Sequence, residues 1–116
     1  MTGTGSASSR RVLCVGRLYC DLVFTGVPRM PTLGTEVFAE DLGVHAGGGA
    51  FITAATLAAL GRPAALSAVL PAAPFDAPVS AEIEAAGVDI ALSQPAAVGA
   101  APQVTVAIVH VSYTHL

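Results

Sequence analysis

The chain has 116 residues, 53% of them hydrophobic and only 11% charged, with a formal net charge of −3. That length allows one domain or a piece of one, and so apolar a composition fits the interior of a larger fold better than a self-sufficient small domain. The five basic residues are all arginines, clustered nowhere beyond Arg10-Arg11, which argues against a nucleic-acid partner.

In chain order, residues 1–10 are small and polar without periodicity and are expected to form a disordered tail. Ser9-Arg10-Arg11-Val12-Leu13 looks like a twin-arginine export signal, but Arg17 and Asp21 interrupt the apolar stretch and no small-residue cleavage site follows. Arg11 to Gly16 predicts a buried parallel strand. Asp21 then falls just past its C-terminal end, where open α/β sheets bind their ligands. Cys14 and Cys20 have no Cys or His partner at metal-ligand spacing, so they read as buried, reduced hydrophobes of a cytoplasmic chain.

Leu22 to Gly26 and Glu36 to Ala39 predict two short strands around Pro28, Pro31 and Gly34, together a flap over about residues 22–46. The run Gly47-Gly48-Gly49 then opens an Ala-rich helix over 50–60, with Ala50, Ala54, Leu57 and Ala58 on one face. Gly61 supplies a left-handed C-terminal position and Pro63 a stop. Ala64 to Leu70 predicts another buried strand. Ser80 to Ala86 predicts a short helix capped by Ser80, with Glu82 and Glu84 in its first turn and Gly87 at its end.

Val88 to Leu92 and Val104 to His110 complete a series of strands alternating with helices, which implies an α/β fold with a mostly parallel sheet. Ile90 to Leu116 carries no formal charge but is broken by Gln94, Pro95, Gly99, Pro102 and Gln103, so no membrane span is expected. The last six residues, 111–116, depart from the Ala/Gly/Pro texture and are similar to a translated sequencing-adapter end. They are expected to be a non-native terminus on a prematurely ended gene fragment, with 11–110 as its native part.

The candidate chemistry centres on the glycines and Asp21. A ligand can approach a glycine backbone closely, and amides at a helix start are free to donate. A carboxylate can accept from two vicinal hydroxyls at once. Spacing alone leaves a plain strand-to-helix turn as an equal reading of the glycines, and makes a turn or cap aspartate the favoured reading of Asp21. His45, Arg17, Arg29, Glu36 and Glu40-Asp41 are weaker candidates, read as flap or solvent-facing groups.

Gly16, Asp21, Pro31-Thr32-Leu33-Gly34, Gly47-Gly48, Leu60-Gly61 and Ala85-Ala86-Gly87-Val88-Asp89 stand in an order that resembles the ribokinase-like (PfkB) carbohydrate kinases over about Arg11 to His110. The resemblance implies the N-terminal part of a mostly parallel sheet with flanking helices and a small β flap. It also implies a sugar- or nucleoside-binding role for Asp21, Gly47, Gly48 and Gly49, with Tyr19 at a position that is Asn in some relatives. ATP and Mg²⁺ are the cofactors implied for the full-length parent, and a flap-mediated homodimer is an implied partner. The family's catalytic Gly-Ala-Gly-Asp is not among these residues, so the chain alone is expected to be inactive and to hold no metal. Two departures stand out. Ile52 occupies a place where the family has a sugar-contacting Asn, and Val69 to Asp76 replaces the usual Gly-Asp after the next strand. They keep open a non-catalytic sugar-binding or regulatory relative. A dinucleotide-binding oxidoreductase is disfavoured, because Gly16 is followed by no second glycine and the third position after Gly47-x-Gly49 is Ile52.

Overall fold

The structure, a computed structural model, describes residues 10–110; the predicted tail before Arg10 and the atypical stretch 111–116 lie outside the described residues. Among the described residues there are two sheets and two helices. Strand β1 (Val12–Val15) pairs in parallel with β4 (Ala64–Ser67), with Val12 opposite Ala64 and Val15 opposite Ser67. Strand β2 (Tyr19–Val27) is central in the second sheet, antiparallel to β3 (Asp41–Gly47) and parallel to β5 (Val104–His110). Helix α1 (Gly49–Ala59) follows β3, and helix α2 (Asp76–Ala85) follows β4.

The core forms where the helices cover the first sheet and the inner end of the second. Cys14, Leu18, Cys20, Phe51, Ala54, Leu66, Val79, Ile83 and Val88 are buried together in one cluster. Both cysteines are free thiols inside it. Phe51 and Ala54, three residues apart on α1, set the buried stripe, and Val79 and Ile83, four apart, do the same on α2. Among the described residues no helix is long and apolar enough to cross a membrane.

Several expectations need correction, among them the strands over 64–70 and 88–92, of which only Ala64–Ser67 and isolated bridges at Val69 and Asp89 form. β1 is parallel as expected but buried on one face only: Cys14 is buried while Leu13 and Val15 are 49% and 71% exposed. Glu36 to Ala39 is not a strand; the partner of β2 begins at Asp41. Ser80 does not cap α2, which starts four residues earlier at Asp76 and carries Pro78 in its first turn. Proline is tolerated there because first-turn N–H groups have no intrahelical acceptor. Finally, β5 joins the flap sheet beside β2 rather than the sheet of β1 and β4.

The first sheet continues through Asp89 instead, which forms a single parallel bridge to Ala65. Leu66 N–H donates to the Asp89 carbonyl at 2.8 Å, and Asp89 N–H donates to that of Ala64 at 3.1 Å. The Asp89 side chain accepts from Ala91 N–H at 2.8 Å and pairs with Arg11. The Ala91 amide and then the Arg11 guanidinium hold its carboxyl below the usual carboxylate range.

Candidate functional site

The site forms where β3 turns into α1. Gly47 ends β3, Gly48 is the N-cap residue, and Gly49 opens the helix. Gly48 has φ +105°, a conformation side chains resist, and a Cβ there would run into the Arg17 carbonyl. Its own carbonyl accepts from Ile52 N–H at 3.0 Å, starting the helix. No side chain caps α1, so the amides of its first turn are left for another acceptor. Gly49 has open space at its Cβ position, so backbone geometry demands glycine at Gly48 alone, while at Gly47 a side chain would compete with the Asp21 carboxylate.

Asp21 is the third residue of β2, not a loop residue after β1. Strand alternation puts Tyr19 and Asp21 on one face of the sheet, opposite the face that carries Cys20 and Leu22 toward the core. The antiparallel register sets Tyr19 opposite Gly47 and Asp21 opposite His45. A Cβ built on Gly47 would lie 2.6 Å from Asp21 Cγ and 2.7 Å from Oδ1. The carboxylate therefore lies directly over the Gly47 backbone. Of the predicted site residues, Asp21, Tyr19, Gly47 and Gly48 come together here, with Gly49 at the adjoining helix start.

Two further residues belong to this locality. Thr105, opposite Asp21 on β5, donates its hydroxyl to Asp21 Oδ1. Glu82, read from sequence as a first-turn acid, lies deep in α2 and accepts the Ala46 N–H through Oε1 at 2.9 Å. The same oxygen is 3.5 Å from His45 Nδ1. Glu82 thus fastens the end of β3 just before the glycines. Sequence separations of 84 and 36 residues left no local signal for either contact.

Of the departures noted above, Ile52 is 58% exposed on the first turn of α1. The stretch replacing Gly-Asp runs from the isolated bridge Val69–Gln94 to Asp76, the first residue of α2. Beneath the site, burial pushes the Cys20 thiol above its ordinary value, with Asp21 and Glu82 adding to the effect.

The fold recurs in solved structures. A ribokinase candidate from Agrobacterium tumefaciens superposes with a TM-score of 0.72 at 23% identity, over 87% of this chain and 32% of that one. The fold is ribokinase-like. A PfkB family carbohydrate kinase from Listeria grayi matches with a TM-score of 0.63 at 24% identity, over 84% and 28% of the two chains. Ribokinase from Cryptococcus neoformans, crystallised with ADP, matches with a TM-score of 0.68 at 22% identity, over 84% and 30%. The chain thus spans less than a third of the ribokinase-like structures it matches. No protein-family model matches the sequence, and neither does any curated protein.

Proposed function

We propose that this chain is the sugar-binding half of an ATP-dependent kinase whose parent transfers the γ-phosphoryl group of ATP to a hydroxyl of a sugar or nucleoside. The observation that carries this reading is the Asp21 carboxylate laid over Gly47, beside the uncapped first turn of α1. A charged acceptor next to free amide donors is the combination that vicinal hydroxyls need, since each hydroxyl both donates and accepts. Tyr19, on the same face, would border the ligand. The ribokinase-like fold supports the substrate class.

Phosphoryl transfer depends on holding the acceptor hydroxyl in line and neutralising developing charge. These residues would serve the first need by binding and orienting the sugar. Bound ATP and Mg²⁺ would supply the phosphoryl group and the charge neutralisation. Among the described residues no cluster of three His, Cys, Asp or Glu side chains could hold a metal ion on its own. The chain also lacks the sequence Gly-Ala-Gly-Asp. We therefore expect sugar binding without phosphoryl transfer from these 116 residues.

Ile52 supports a second reading, a non-catalytic sugar-binding relative, because an exposed isoleucine replaces a polar contact with an apolar one. The outer end of the flap sheet favours a homodimer. Phe24, Phe38, Leu42, Val106 and Ile108 line an apolar groove of about 610 Å³ there. Phe38 is 80% exposed, and a second copy would cover it. Sedimentation of Leu42→Asp beside wild type tests this: a dimer reduced to monomer supports it, and a monomeric wild type removes it.

Titration of the chain with D-ribose, D-fructose and adenosine, followed at the amide resonances of Gly47 to Phe51, tests the binding role. Saturable shifts confined to those amides are expected. No response to any of the three overturns the reading.

A further inference from the structure

His45, Asp21 and Thr105 form one row across β3, β2 and β5, each the direct cross-strand partner of the next. All three are therefore on the same face of the sheet. Asp21 is held on two sides within that row. Oδ1 receives the Thr105 hydroxyl, and the carboxylate as a whole rests on the Gly47 backbone. The other β5 positions of that face, Ala107 and Val109, carry no polar group, so Thr105 is the one residue of β5 that can address Asp21.

We infer that Thr105 is the positioning residue for Asp21, fixing the carboxylate so that its remaining lone pairs are presented to ligand hydroxyls. This rests on the sugar-binding reading given above. A carboxylate has about four acceptor positions, so one bond to Thr105 leaves capacity for a vicinal diol. A threonine in a strand can also be there for strand propensity alone. Thr105 is exposed, however, and a hydroxyl–carboxylate bond at an exposed position adds little to folding because water competes for both groups. What it does supply is a single orientation for an otherwise mobile side chain.

Thr105→Val keeps the shape and strand propensity but removes the donor, and Thr105→Ser restores it. Thr105→Ala is a second donor-less variant should Val disturb the strand. Three-bond couplings of the Asp21 side chain in the ligand-free 116-residue chain should report one χ1 rotamer for wild type and Thr105→Ser, and averaging for Thr105→Val. Dissociation constants for D-ribose and D-fructose should rise about fivefold to tenfold in Thr105→Val, the loss of one hydrogen bond's worth of ordering, and recover in Thr105→Ser. A single retained Asp21 rotamer in Thr105→Val overturns the inference. So does unchanged affinity in Thr105→Val when Asp21→Asn loses binding, an outcome that leaves the sugar-site reading standing. If Asp21→Asn binds as wild type, the sugar-site reading falls, and the rotamer measurement still decides Thr105.

Discussion

The Asp21 carboxylate occupies the space that a Gly47 side chain would need, with Cγ 2.6 Å from where that Cβ would be. This relationship links the two candidate site residues across the β2–β3 register, because only a glycine at the end of β3 leaves the Asp21 carboxylate its observed place. It also separates the three consecutive glycines by role, which makes them a graded experiment.

Gly48→Ala should destabilise the fold by about 1–3 kcal/mol, because an alanine must adopt φ +105° against the Arg17 carbonyl. Gly47→Ala should displace Asp21, so its main effect should be on sugar binding. Gly49→Ala meets open space in a helical position and should be neutral or stabilise by about 0.4–1 kcal/mol. Urea midpoints of the three variants check the order; a Gly49→Ala as damaging as Gly48→Ala would contradict it.

Phe51 and Ile52 are neighbours with opposite fates. Phe51 is 6% exposed in the core, and Phe51→Ala should cost about 3–5 kcal/mol. Ile52 is 58% exposed, so Ile52→Asn should change stability by no more than about 0.5 kcal/mol. If the first turn of α1 borders the ligand, Ile52→Asn should also tighten D-ribose or D-fructose binding by adding a polar contact. Denaturation and titration of the same samples give both answers, and weaker binding in Ile52→Asn would count against the placement.

Cys20 should make stability fall at alkaline pH. Its folded value is raised above the ordinary 9.0, first by burial and then by Asp21 and Glu82. A group whose folded value is raised favours the native state while protonated. That contribution is full below its unfolded value and is lost as pH rises through the folded one. Urea midpoints should therefore be flat near neutral pH and fall more steeply for wild type than for Cys20→Ala above about pH 9. Parallel curves for the two proteins would show that the thiol has no such role.

Much of the local structure was legible in the sequence. The Ala-rich periodicity placed α1 within a residue, and Gly61 takes the expected left-handed conformation at φ +85°. Strand β5 was read at its observed bounds, Val104 to His110. The misses have physical causes. β3 (Asp-Leu-Gly-Val-His-Ala-Gly) holds two glycines and an aspartate, all poor strand formers, and is made a strand by pairing along β2. Ser80 is a good cap by type, yet packing of Val79 and Ile83 fixes a helix that begins upstream of it. Propensity is local, whereas the sheet to which β5 belongs is a long-range choice. For the same reason Asp21 and the glycines stood out while Thr105 and Glu82 did not.

The central claim is that Asp21 and the Gly47–Gly48 turn form a polyol site. Titrating wild type and Asp21→Ala with D-ribose and D-fructose, followed at the Gly47 and Gly48 amides, tests it most directly. The account predicts saturable shifts in wild type and binding weaker by about 1–3 kcal/mol in Asp21→Ala, with the fold intact. Equal affinity of the two proteins for every sugar that binds would contradict it and leave Asp21 a structural residue of the sheet.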